Sequence, residues 1–298
     1  MGLLKYHETP VQEIHDPLLD SFGLRLLVKR EDLNHPFVSG NKWWKLKYNL
    51  TEAKKLGKKK ILTFGGAYSN HIYATAAAAK ETGFESVGII RGEETQPLNS
   101  TLAFAKEQGM HLHYVSRETY RNKTDEKFID DLRTIFGDFY VIPECGTNAL
   151  AVKGCEELGN KILSEIDFDV VCLPVGTGGT MAGLINGLGG KKEVLGFSVL
   201  KGGEFLEKEV ARFLTVEGKQ SPCWAIKTDY HFGGYGKKTL GLENFIMAQR
   251  ASHHLALDEV YTGKMFFGIY DLISQSNIKR GSTVLGIHTG GLRDNSTQ

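Results

Sequence analysis

Short apolar runs rich in β-branched residues recur along this chain, and helix-like stretches separate most of them. That alternation is the feature that most constrains the fold. The runs are Ile61 to Phe64, Ser86 to Ile90, His111 to Val115, Tyr140 to Ile142, Val170 to Val175, Val194 to Val199 and Thr283 to Ile287. The intervening spacing predicts helices over Asn70 to Thr82, Leu98 to Gln108, Lys123 to Phe136 and Ala149 to Ile166. Strands joined by crossover helices pair in parallel, so an α/β fold follows, with helices on both faces of its sheets. Gly83 and Gly109 stand where a helix ends in the left-handed conformation. The lysines from Lys54 to Lys60 read as a solvated helix end and the start of the next strand. In open α/β sheets ligands sit beyond the carboxyl ends of the strands, so strand-to-helix turns are where chemistry is sought.

With 298 residues the chain can bury one large core, or two lobes with a cleft. Lys plus Arg number 36 against 35 for Asp plus Glu, which leaves no basic field for nucleic acid or a membrane surface. No apolar run approaches the length of a membrane span. Cys145, Cys155, Cys172 and Cys223 form no C-x-x-C pair and no zinc-like Cys/His spacing, so no metal is expected. Met1 to Ile14 has no apolar signal region, and Tyr6 breaks the myristoylation pattern. A reduced, cytoplasmic protein is the expectation.

Four groups of residues carry chemistry. Ser39-Gly40-Asn41-Lys42 opens a helical stretch, and Ser39 or Asn41 can cap it. Lys42 then lies in the first turn, where the helix dipole disfavours a cation and favours the neutral, nucleophilic amine. By itself this residue also reads as a surface lysine on a lysine-rich helix. Gly65-Gly66-Ala67-Tyr68-Ser69-Asn70-His71 joins a strand to a helix N-terminus, where backbone N–H groups bind carboxylates. A plain capped turn accounts for it equally well.

Gly176-Thr177-Gly178-Gly179-Thr180 follows the strand that ends at Val175 and offers consecutive N–H groups, two hydroxyls and a helix dipole to a phosphate. Met181 stands where the third glycine of a dinucleotide fingerprint belongs, and no Gly-Lys-Ser/Thr ending makes a P-loop. A single phosphate fits better than NAD or ATP. Near the C-terminus come Gly233-Gly234-Tyr235-Gly236, then Tyr261-Thr262-Gly263-Lys264, then His288-Thr289-Gly290-Gly291. Tyrosines beside glycines stack on flat ligands or fill cores, and the sequence leaves both open.

These motifs in this order resemble the 1-aminocyclopropane-1-carboxylate deaminase/D-cysteine desulfhydrase family, within the tryptophan-synthase-β-like, fold-type-II pyridoxal-phosphate enzymes. The similarity runs from about Val28 to Gly291. It implies pyridoxal 5′-phosphate as cofactor and two α/β lobes, each a mostly parallel sheet flanked by helices. Residues 1–42 plus 151–298 would form the large lobe and 43–150 a small inserted one. By the same resemblance Lys42 bonds the cofactor covalently, and Lys45 adds a contact to its phosphate. Gly176, Thr177, Gly178, Gly179 and Thr180 hold the phosphate, Asn70 meets the ring hydroxyl, and Thr289 faces the pyridine nitrogen. Ser69, Tyr235 and Tyr261 join Lys42 as catalytic residues. Ser69, Asn70, His71 and Thr262 contact the substrate.

Enzymes that open the cyclopropane ring resemble one another in carrying Glu at the place of Thr262 and Leu at that of Thr289. The two threonines therefore point to D-cysteine or a related β-substituted amino acid. A neutral hydroxyl near the ring nitrogen gives a weaker electron sink, which suffices for a good leaving group such as thiolate. The expected reaction is β-elimination to a keto acid and ammonia, with Lys42 as general base. Ring opening of 1-aminocyclopropane-1-carboxylate is the alternative, and a phosphate-ligand binder with little catalysis a further one. Trp44 and Tyr68 depart from the family, which commonly has a basic residue and Gln there. Relatives imply a homodimer acting on a small amino acid.

Overall fold

The computed structural model describes residues 3–215 and 223–292. In chain order they begin with β1 (Val11–Ile14), α1 (Pro17–Phe22), β2 (Arg25–Lys29), α2 (Asn41–Lys55), β3 (Lys60–Gly66) and α3 (Asn70–Thr82). Next come β4 (Glu85–Arg91), α4 (Ser100–Glu107), β5 (Met110–Val115), α5 (Glu126–Phe136), β6 (Tyr140–Ile142) and α6 (Ala149–Glu165). The last are β7 (Val170–Val175), α7 (Gly179–Leu188), β8 (Glu193–Ser198), α8 (Leu206–Ala211), β9 (Trp224–Lys227), α9 (Leu240–His253), α10 (Thr262–Ser274) and β10 (Thr283–Ile287).

The chain divides into two compact units. The larger holds His7–Asn34, Ser39–Asn41 and Val152–Gln298. Its sheet is six-stranded, ordered β1-β2-β10-β7-β8-β9. Every pairing is parallel except β1 with β2, an antiparallel edge. β7 is buried at every position, as an interior parallel strand covered on both faces must be. Leu26, Val28, Phe197 and Val284 pack there against Met265, Phe266 and Ile269 of α10. Gly286 on β10 is what lets that helix come close, since a Cβ there would lie 2.8 Å from the Phe266 ring. Gly159, Gly183 and Gly187 likewise let α6 and α7 approach backbone to backbone; a Cβ on Gly183 would collide with Cys155.

The smaller unit comprises Met1–Tyr6, His35–Val38 and Lys42–Ala151. Its four strands run β5-β4-β3-β6, all parallel. Leu62, Phe64, Val87 and Ile89 pack on one face with Tyr120, Leu132 and Phe139. Ile90 and Met110 pack on the other with Ile72, Ala76, Leu102 and Ala105. The sequence division at 42 and 150 does not anticipate the two short pieces from the N-terminal region. They belong here because Trp43 Nε1 donates to Lys5 O at 2.9 Å and the Tyr6 ring lies 4.7 Å from that of Trp43. His35 Nε2 also meets Glu81 at 2.8 Å. Among the described residues no helix is long and apolar enough to cross a membrane, and no His/Cys/Asp/Glu cluster suits a metal ion.

Candidate active site

In the larger unit the turn Ser39–Asn41 is fixed from both sides. Gly40 N donates to Glu31 O and to Asn34 Oδ1, both at 2.9 Å. Asn34 Nδ2 returns a bond to Gly40 O at 3.0 Å. Asn34 is itself held by Glu31 Oε2 at 3.0 Å, while Glu31 Oε1 accepts from Thr9 Oγ1 at 2.7 Å. Asn34 and Glu31 are both fully buried. On the other side Asn41 N donates to Thr289 O at 3.2 Å, and Asn41 Nδ2 donates to Thr180 Oγ1 at 2.9 Å. Gly40 has φ +68°, and a Cβ there would run into the Thr289 carbonyl. Only glycine fits.

The Asn41 amide reaches the loop that follows β7. Gly178 caps α7 at φ +78° and contributes no side chain to the cap. The N–H groups of the first helical turn point out of the helix with the positive end of its dipole. Thr180 accepts from Asn41 and donates its own proton to no protein group among the described residues. A Cβ on Gly178 would lie 2.9 Å from Val210 Cγ2. This donor set (backbone N–H groups, a helix N-terminus and the hydroxyls of Thr177 and Thr180) suits a phosphate. Tyr261 stands over the loop, with its ring 3.3 Å from where a Gly176 Cβ would be. Its phenol lies 3.4 Å from the Tyr235 phenol, the two rings edge to face. Thr289 donates its hydroxyl to no protein group among the described residues. Its turn is set by His288, whose Nε2 lies 2.7 Å from Ala256 O and whose Nδ1 accepts from Gly290 N at 3.3 Å.

Thr262 is the first residue of α10. It is fully buried, donates to Asp258 Oδ2 at 2.7 Å and accepts from Asp258 N at 3.0 Å. Asp258 Oδ1 also takes the N–H groups of Val260 and Tyr261, at 2.8 and 2.7 Å. The threonine hydroxyl thus both donates and accepts at the start of α10.

In the smaller unit Lys42 lies in the first turn of α2 and is half-buried. The buried face of the helix includes Trp43, Trp44, Lys45, Leu46 and Asn49. Trp44 fills an aromatic cluster with Trp43 and Tyr6, ring centroids 4.9 and 5.3 Å away, so its departure from the family serves packing. Lys45 is 2% exposed, and its Nζ donates to Cys145 O at 3.2 Å and Thr147 Oγ1 at 3.0 Å. It braces a turn of its own unit. Ser69 caps α3, its Oγ accepting from His71 N at 3.2 Å and Ile72 N at 3.3 Å. Gly65 leaves the room for that cap, since its Cβ would lie 2.8 Å from Ser69 Oγ. The Ser69 proton goes to no protein acceptor among the described residues. Asn70 follows as the first residue of α3, half-buried, and Tyr68 is exposed.

His71 lies in the first turn of α3. It is 1% exposed, with Nε2 at 2.8 Å from Thr63 Oγ1. Thr63 spends its own proton on Ile142 O at 2.8 Å, so the imidazole must be the donor. Burial holds its pKa well below the usual imidazole value, and the charges of Lys42 and Lys45 push the same way. It is a neutral tie between β3 and α3. The polar groups that sequence reasoning missed are Asn34 with Glu31, Asp258 and Lys264. An aspartate four residues before a helix start signalled only the third of these.

A family model described as pyridoxal-phosphate dependent enzyme matches residues 3–225. A Pyrococcus horikoshii protein provisionally named 1-aminocyclopropane-1-carboxylate deaminase is 32% identical, over 96% of this chain and 90% of its own. An Arabidopsis thaliana protein is 30% identical over 97% of this chain and 77% of its own. It is named as a bifunctional mitochondrial D-cysteine desulfhydrase/1-aminocyclopropane-1-carboxylate deaminase. A solved structure of an ACC deaminase homologue superposes with TM-score 0.81 at 30% identity, over 97% of this chain and 91% of that one. The chain therefore belongs to the pyridoxal-phosphate-dependent enzymes of fold type II. Within them it falls in the 1-aminocyclopropane-1-carboxylate deaminase/D-cysteine desulfhydrase family.

Proposed function

We propose that this enzyme is a lyase eliminating the β-substituent of D-cysteine, or of a closely related β-substituted amino acid, to give a keto acid and ammonia. The observation that carries the substrate choice is Thr289, whose neutral hydroxyl is bound to no protein group among the described residues. Its main chain is tied to Asn41 at 3.2 Å. When bound, pyridoxal phosphate supplies an electron sink for charge at the substrate α-carbon. A hydroxyl partner at its ring nitrogen, unlike a carboxylate, leaves that sink weak, and a thiolate leaving group needs no stronger one.

The chain's own residues take the following parts. Lys42 would hold the cofactor through Nζ, and as a free amine it would take the α-proton there. The N–H groups of Gly176–Thr180 and the hydroxyls of Thr177 and Thr180 hold the phosphate. Asn70 would meet the ring hydroxyl. Ser69 offers its unused proton to the substrate carboxylate while its oxygen keeps α3 capped. Tyr235 and Tyr261, phenol to phenol, hold or pass a proton at the leaving-group side. A homodimer in the cytoplasm completes the proposal, and sedimentation velocity with fractionation checks both.

The test is an absorbance titration of the holoenzyme with D- and L-cysteine, D-serine and 1-aminocyclopropane-1-carboxylate, with keto acid measured alongside. Turnover of D-cysteine above the others is expected. Preference for the cyclopropane substrate, which the name of the Pyrococcus relative favours, would overturn the substrate assignment. A spectrum indifferent to every amino acid would overturn catalysis altogether. Lys42→Ala should abolish the visible band of the lysine-bound cofactor; a variant that keeps the band and turns over normally removes Lys42 from its role.

A further inference from the structure

Tyr235 sits on a turn that a chain adopts reluctantly. Phe232, Gly233, Gly234 and Gly236 all have positive φ, and Phe232, at +52°, has no glycine's freedom to do so. Such a turn persists only where its surroundings over-determine it. Its own bonds include two at its start: His231 Nδ1 accepts from Gly233 N at 2.9 Å, and Gly234 N reaches His231 O at 3.0 Å. Lys237 N reaches Gly234 O, also at 3.0 Å.

The remaining support comes from a different element. Lys264, in the first turn of α10, is fully buried, and its Nζ donates to His231 O and Gly234 O, both at 2.9 Å. Among the described residues it makes no ion pair. A buried ammonium at a helix N-terminus is unfavourable twice over, by desolvation and by the dipole. Burial draws its pKa down to about 8, with the Asp258 carboxylate opposing. The fold carries that cost where one cation can hold both ends of a strained turn. Tyr261 lies three residues before Lys264, at the cap of the same helix. One helix end thus places the Tyr261 phenol and, through two carbonyls, the turn that carries its neighbour.

We infer that Lys264 is a positioning residue: its ammonium clamps the His231–Gly234 turn and so sets the Tyr235 phenol against that of Tyr261. This rests on the catalytic reading of the tyrosine pair and deepens it. The lysine touches no reacting atom. Its influence runs through Tyr235 alone.

The experiment compares holoenzymes carrying Lys264→Met, Tyr235→Phe and both, with amide hydrogen exchange as a readout independent of turnover. Lys264→Met keeps the unbranched stem one atom short of the ammonium and leaves each carbonyl its backbone donor, Gly234 N on His231 O and Lys237 N on Gly234 O, so the fold is retained. Exchange at the turn amides of 233–237 should quicken at least tenfold, with the α10 amides unchanged. kcat should fall about tenfold or more with KM within about threefold, the pattern of an interaction made in the transition state. In the Tyr235→Phe background the lysine substitution should add less than about twofold. Unchanged exchange at the turn overturns the clamp, whatever the activity does. Faster exchange with fully multiplicative kinetic losses overturns the route through Tyr235. A fully active Tyr235→Phe enzyme refutes the catalytic reading of that tyrosine, and the exchange result then decides the clamp by itself.

Discussion

Gly40→Ala puts the turn before Lys42 under a load that can be worked out in parts. The residue has φ +68°, and a Cβ there meets the Thr289 carbonyl and Gly290 N, all of it backbone. An L-residue in the left-handed region costs about 1–2 kcal/mol. Forcing packed backbone apart adds about 1–3 kcal/mol. Retreat is blocked, because Gly40 N and O are both bonded, to Glu31 O, Asn34 Oδ1 and Asn34 Nδ2. The sum is about 2–5 kcal/mol. Gly189→Ala supplies the control, since Gly189 also has positive φ, +56°, belongs to the same unit and has nothing within 4 Å of its Cβ position. It should lose only the conformational part, about 1 kcal/mol. Urea unfolding followed by circular dichroism measures both. The Gly40 variant should also release cofactor faster, because the displaced groups are the partners of Asn41, whose next residue is Lys42. Equal losses for the two variants, with equal cofactor retention, would refute the reasoning.

Three further outcomes follow from the geometry. His71 is buried neutral with a lowered pKa, so the native state binds fewer protons than the unfolded chain once the pH falls below about 6.5. Stability from this group is present above that value and lost as the pH falls, by up to about 1.4 kcal/mol per pH unit. His71→Gln should flatten that slope between pH 7 and 5, and an unchanged slope counts against a buried neutral imidazole. Asp258→Ala strips four donors of their acceptor at the start of α10 and should cost about 1–3 kcal/mol, read as a shifted urea midpoint. Gly178→Ala combines φ +78° with a 2.9 Å approach to Val210 and should weaken cofactor retention about tenfold, followed by the loss of visible absorbance on dialysis. Retention equal to the parent enzyme would argue that the loop does not hold the phosphate.

Most of the sheet architecture was legible because interior parallel strands read as plain apolar runs. Each of the seven runs lies on a strand of the structure, to within a residue or two at the ends. The three strands that escaped notice have physical reasons for doing so. β1 is an edge with only Ile14 buried, so it shows no apolar run. β2 begins and ends on charged residues, Arg25 and Lys29, and β9 is buried only at Ile226.

The order of motifs along the chain determined the family, the cofactor and the residues worth watching, because a Gly-rich turn after a strand and a lysine at a helix start are local features. What each hydroxyl or ring does with its proton is not local. Ser69 and Thr262 look alike in sequence, both hydroxyl residues at helix starts. Packing gives Ser69 only backbone donors and leaves its proton unassigned, whereas Asp258 closes on Thr262 from both sides. His71 beside Asn70 is likewise turned inward to Thr63. Hydrogen-bond capacity belongs to the residue type, but its use is decided by whichever partner the tertiary fold delivers within about 3 Å.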